Sequence, residues 1–295
     1  MSREQRRNDT AERQPLKRRV VRMLRERRRV AAARRRDDAT VGWPNENADE
    51  MQPLFEAEGI AITPWRLNDA GYRAYMERAV YPRGFLGGPG SPDFTQRSIE
   101  HYAVLALTEP TPSETVLDIG SNMSPLVDIV RSIVGCECYE QDLQFPPGVD
   151  GWRIGGDAAA MPVSDGFADV LLLCSAYPHF EGDADMRFVV EAARVLRPGG
   201  RAAILPLYLS DTYGAKADPR LRWDGLLFDE KMHRYLIPGL NVRFSRSYDP
   251  GMLLARVLQP ARAAGLDARV LRVQGGRSVE DGTYLDFALV LTKQG

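Results

Sequence analysis

The chain has 295 residues, of which 44% are apolar, 27% charged and 8% aromatic, a balance that suits a globular protein. No apolar run reaches the roughly 18 residues a membrane span needs, and the charged N-terminus lacks the apolar stretch of a secretory signal. Cys136, Cys138 and Cys174 are too few and too unevenly spaced for a disulfide framework or a four-ligand zinc site, so a cytoplasmic setting and no metal are expected.

The net charge of −1 conceals an asymmetry. Residues 1–36 carry fifteen Lys or Arg against four Asp or Glu, which joins a basic arm to an acidic remainder. Residues 1–14 are polar enough to be disordered. Over residues 15–36, Leu16, Val20 and Leu24 recur every fourth position, which predicts a short amphipathic helix ringed by arginines. Such an arm either docks on an anionic membrane surface, an acidic partner or nucleic acid, or is a solvated tail. The arm has no aromatic residues to stack on bases, which counts against sequence-specific RNA binding. Residues 37–50 read as a linker, completing a segment 1–50. Residues 51–108 read as a helical cap, interrupted at Tyr81-Pro82-Arg83-Gly84 and by the glycine- and proline-rich residues 87–92.

From Thr115 the pattern becomes strands alternating with helices, the signature of a parallel sheet. Residues 116–119 (VLDI) form a buried strand and 126–134 its helix. Further strands are expected at 136–143, 152–154 and 169–174. A helix capped by Asp183 follows, with Val189, Ala192, Ala193 and Leu196 on one face and a stop at Pro198-Gly199-Gly200. Residues 201–207 make the next strand. Asp249-Pro250 starts a helix that ends before Gly265. Two strands, 268–273 and 284–292, then follow with no helix between them, so they pair antiparallel. The fold class is therefore α/β: a Rossmann-like, doubly wound sheet, mostly parallel, with a C-terminal antiparallel hairpin, helices on both faces and an N-terminal helical extension.

Four stretches of residues 109–295 together carry a family resemblance. They are Val-Leu-Asp-Ile-Gly at 116–120, Gly-Asp-Ala at 156–158 with Met161-Pro162, Phe-Ala-Asp-Val at 167–170, and Glu-Ala-Ala-Arg-Val-Leu-Arg-Pro-Gly-Gly at 191–200. In this order and spacing they resemble the class I S-adenosylmethionine-dependent methyltransferases. The resemblance implies S-adenosylmethionine as cofactor and a cofactor site that includes Asp118, Gly120, Ser121, Asn122, Asp142, Asp157, Ala158 and Ser175. The family places the acid at 118 near the methionine ammonium. Either Asp142 or Glu140, at the end of the second strand, would accept the ribose hydroxyls. Asp157 either takes the adenine amino proton, with the Ala158 amide beside it, or only forms an Asx turn. The loop lacks the second and third glycines of G-x-G-x-x-G, with Asn122 and Pro125 in their places, which argues against a dinucleotide's pyrophosphate.

The sulfonium is already an activated electrophile, so the protein has to supply alignment, plus a base if the acceptor is a hydroxyl. Residues 175–180 read Ser-Ala-Tyr-Pro-His-Phe, where the family often carries Glu-His-Phe. His179 is accordingly the candidate base and Tyr177 a candidate for positioning the acceptor, with His101, Tyr102 and His233 as weaker candidates. The aromatic- and arginine-rich insert 208–248 is either an acceptor lid or a packed cap. The leading expectation is O-methylation of a small-molecule or sugar-like acceptor. The alternatives are a catalytically silent cofactor-binding scaffold and a nucleic-acid methyltransferase recruited by the basic arm.

Overall fold

A computed structural model describes residues 39–121, 124–223, 225–275 and 285–295. The expected basic arm and the Asn122 position therefore lie outside the described residues. A nine-stranded sheet forms the centre. Its parallel part comprises β3 (Thr115–Ile119), β4 (Glu137–Asp142), β6 (Arg153–Gly155), β7 (Ala168–Cys174) and β8 (Leu196–Leu205). β12 (Leu266–Gln274) and β13 (Phe287–Lys293) form the antiparallel pair, and β13 runs antiparallel to β8. The edges are β2 (Ile62–Arg66), parallel to β12, and β5 (Gly148–Asp150), antiparallel to β6. The full order is β2-β12-β13-β8-β7-β3-β4-β6-β5.

Because β3 pairs with β4 on one side and β7 on the other, the strand order reverses beside β3. Open α/β sheets bind ligands at the carboxyl ends of the strands flanking such a reversal. Alternation along β3 buries Val116 against helices on one face and Leu117 and Ile119 on the other, so both faces are dry. The first face is covered by α3 (Pro92–Thr108) and α4 (Leu126–Ile133), the second mainly by α5 (Ala184–Val195) and the helical run from α6 (Pro250–Leu253) to α7 (Gln259–Ala263). That run passes through a π turn at Leu254–Leu258 rather than staying α-helical throughout.

Three sequence expectations need correction. The linker 37–50 holds β1 (Ala39–Val41) and the start of α1 (Ala48–Ala57), whose Asn47 cap accepts a bond from the Asp49 amide. The cap 51–108 is not wholly helical. It contains α2 (Asp69–Arg78) and α3, but β2 joins the main sheet as an edge strand, where Pro64 is tolerated. Pro198-Gly199-Gly200 does not separate helix from strand. The helix ends at Val195, and these residues bulge within β8, where the register with β7 shifts and Gly199 takes φ +79°.

The insert forms a second sheet, β1-β10-β9-β11, from β9 (Gly214–Ala217), β10 (His233–Leu236) and β11 (Ser245–Ser247). A buried ionic network docks it on the main domain. Arg246 reaches Asp229 at 2.8 Å and the carbonyls of Phe180 and Gly182 at 3.0 and 2.7 Å. Arg256 grips both oxygens of the fully buried Asp185, which also accepts the Tyr248 hydroxyl. Multiple bonds to each charge offset the cost of burying it. No helix among the described residues is long and apolar enough to cross a membrane.

Candidate functional site

The carboxyl end of β3 turns at Gly120, where φ is +68° and an added Cβ would lie 2.7 Å from the Ala176 Cβ. Only glycine meets both constraints without strain. The Gln141 carbonyl accepts the Gly120 and Ser121 amides at 2.8 and 3.1 Å, while its side-chain amide donates to the Gly156 carbonyl at 2.6 Å. One residue at the end of β4 thus fixes both flanking loops.

Asp118 is 2% exposed, and among the described residues its Oδ2 has no hydrogen-bond partner; the buried Ser121 Oγ has none among them either. Burial pushes the Asp118 carboxyl up to about 8; the Arg97 guanidinium pulls it down, and Glu140 and Asp142 push it up. An unpaired buried carboxyl is costly unless a ligand completes it. Asp142 is buried at the end of β4 and accepts the Gln144 amide at 2.8 Å. Glu140 instead pairs with Arg153 on the adjacent strand at 3.1 Å. Asp157 forms the Asx turn, accepting the Ala159 amide at 2.9 Å, and also meets Arg187 at 3.2 Å through its other oxygen. Ala158 is buried beside it.

Ser175, at the end of β7, has φ +54°, a left-handed conformation costly for a residue with a Cβ. Its hydroxyl donates to Glu100 at 2.8 Å. Glu100 in turn receives Arg97 at 2.8 Å, and Arg97 also donates to the Cys174 carbonyl at 3.1 Å. The sequence reading passed over Arg97 and Glu100. Their i, i+3 spacing was visible, but nothing local shows that this charged stripe of α3 faces the strand ends.

Beside Ser175 lies a cavity of about 460 Å³, walled by Pro178, Leu207, Tyr208, Leu209 and Phe287 and closed by the small sheet. His179 and Arg97 line it, as do Trp43 and Glu46 from the stretch expected to be a linker. Glu46 holds the buried Lys216 at 2.8 and 2.9 Å, and Lys216 lies 3.4 Å over the Tyr208 ring. The His179 Nδ1 is 2.5 Å from the Phe244 carbonyl. Burial lowers the pKa of His179 below its usual range, the Phe244 bond works against this, and Arg97 and Lys216 add to the lowering.

The other candidates sit elsewhere. Tyr177 is turned into the core, its hydroxyl donating to the Asp185 carbonyl at 3.2 Å, so it does not reach the cavity as expected. His101 lies under the glycine turn between the Tyr81 and Ser124 hydroxyls, and burial lowers its pKa to about 3. Tyr102 packs on Tyr72 and Tyr75. His233 bonds Thr40 within the small sheet.

Residues 117–204 match the family described as a methyltransferase domain. Among curated proteins, no significant sequence match is found. Similar solved structures include a Burkholderia thailandensis 1,6-didemethyltoxoflavin-N1-methyltransferase, with bound 1,6-didemethyltoxoflavin and S-adenosylhomocysteine. It is 16% identical with a TM-score of 0.40, over 88% of this chain and 93% of that one. Another is the YcgJ protein of Bacillus subtilis, 15% identical with a TM-score of 0.39, over 66% of this chain and 98% of that one. Residues 117–204 thus match a methyltransferase domain, and within this segment lie the glycine turn, Asp118 with its unpartnered Oδ2 and most of strand β3, beside which the strand order reverses.

Proposed function

We propose that the chain methylates a hydroxyl oxygen of a small molecule held in the cavity beside His179. The observation that carries this reading is the bond between His179 Nδ1 and the Phe244 carbonyl. A carbonyl only accepts, so Nδ1 carries the proton and the neutral ring keeps its lone pair on Nε2. Burial keeps that ring neutral at physiological pH. A base with a fixed tautomer on the wall of a cavity that mixes apolar and charged residues suits removal of a hydroxyl proton.

Asp118, Gly120, Ser121, Asp142, Asp157, Ala158 and Ser175 would hold the cofactor. Asp118, short of a partner, suits the α-ammonium, and Asp142 at the strand end suits the ribose hydroxyls better than the Arg153-bound Glu140. Asp157 retains acceptor capacity for the adenine amino group, because its Oδ1, which accepts the Ala159 amide, can take a second bond. When bound, S-adenosylmethionine supplies a methyl group on a sulfonium. The protein's share is then to orient the acceptor, exclude water with Leu207, Leu209 and Phe287, and take the proton at His179.

The test supplies methyl-labelled cofactor with matched phenols and anilines of similar size. Label on phenolic oxygen, lost in His179→Ala, is the expected result. Label on amines, undiminished by that substitution, would remove His179 and O-methylation together.

A further inference from the structure

The wall between the glycine turn and the cavity carries a cation with unused capacity. Arg97 lines the cavity from α3, yet both of its hydrogen bonds leave from Nη1, one to Glu100 and one to the Cys174 carbonyl. A guanidinium has five N–H donors in a fork that matches a carboxylate. A purely structural arginine at a strand end spends that fork on its partners, as Arg201 does here with two contacts to Glu114 and two carbonyls. Arg97 leaves Nε and Nη2 without a hydrogen bond among the described residues, although its side chain is only 28% exposed.

Ser175 frames the same spot. Its hydroxyl proton is committed to Glu100, so Glu100 is held from both sides and cannot swing to take up the rest of the fork. Asp118, which feels the Arg97 charge, offers no hydrogen bond to it.

We propose that Arg97 is a carboxylate-binding residue, receiving an acid group of a bound ligand on its Nε and Nη2 edge. This rests on the reading of the cavity as the place where cofactor and acceptor meet. Two sources of carboxylate reach that wall: the amino-acid end of the cofactor, or an acidic acceptor whose hydroxyl faces His179.

The experiment measures affinities of the full chain by calorimetry for two ligand pairs. The first pair is S-adenosylhomocysteine against methylthioadenosine, which lacks the amino-acid carboxylate. The second, with S-adenosylhomocysteine saturating, is para-hydroxybenzoate against para-hydroxybenzamide. Each is repeated with Arg97→Lys and with Arg97→Met combined with Glu100→Gln, the latter so that no buried carboxylate is left unpaired.

In the double variant, the preference for the carboxylate-bearing member of one pair should fall by about ten- to a hundredfold, while the other member binds as before. Arg97→Lys should lie between, because the charge stays and the fork is lost. A fall in the first pair assigns the cofactor as source, and in the second the acceptor. Unchanged preferences in both pairs, with thermal midpoints preserved, would overturn the role of Arg97. No binding of S-adenosylhomocysteine to the wild type would overturn the underlying reading instead.

Discussion

Replacing Asp118 with Asn should flatten the pH dependence of cofactor binding. The carboxyl is buried with one oxygen unpartnered and its pKa is pushed up to about 8, so before binding it is mostly protonated at neutral pH. An α-ammonium placed against it needs the ionised form. Ionisation therefore opposes binding by about 1.4 kcal/mol at pH 7 and by about twice that at pH 6, one factor of ten per unit. The cofactor's own α-amino group, ordinarily near 7.7–8.0, stays charged across that interval. Wild-type affinity for S-adenosylhomocysteine should therefore rise about eightfold from pH 6 to pH 7 and flatten near pH 8. Calorimetry in two buffers of different ionisation enthalpy should show a net release of about 0.8 proton per cofactor at pH 7. Asp118→Asn should bind more weakly, with no slope and no proton release. A flat wild-type profile, or the same slope in the variant, would refute the pairing of Asp118 with the ammonium.

Three further outcomes follow from the same geometry. Gly120→Ala should cost roughly 1–2 kcal/mol from the left-handed backbone plus the clash with Ala176, lowering both melting temperature and cofactor affinity; adding Ala176→Gly should recover only the clash. His179→Ala should cut turnover by about 10²–10⁴-fold while cofactor affinity measured by calorimetry stays unchanged. Because burial lowers its pKa, the wild-type rate should be level at neutral pH and fall only on acidification below the usual histidine value of about 6.5. Arg246→Met removes the bonds to Asp229 and to the Phe180 and Gly182 carbonyls, while Arg256 still reaches Asp229 and Gly182; it should destabilise the fold by about 1.5–3 kcal/mol in a denaturant titration.

Strands β3 and β7 were legible because each is a short, mainly apolar run buried on both faces, as residues 170–173 (VLLL) of β7 show. The antiparallel finish followed from two strands with no intervening helix. β1 was not legible: three residues pair with Arg234, Tyr235 and Leu236, far along the chain, and three residues carry no periodicity. For the same reason Trp43 and Glu46 were missed as walls of the cavity. Tyr177 and His179 are two residues apart in one short turn, yet one faces the core and the other the cavity; sequence spacing names the turn but not its rotation. The inward charges of α3 were hidden likewise, since Arg97 and Glu100 at i, i+3 look like a solvated surface pair.

The most direct test is titration of the full chain with S-adenosylhomocysteine near neutral pH, with NAD as the comparison ligand. Saturable binding at one site is expected, weakened about ten- to a hundredfold by Asp142→Ala through lost bonds to the ribose, with no NAD binding. A folded chain that gives no heat with millimolar S-adenosylhomocysteine, or that binds NAD equally well, would contradict that expectation.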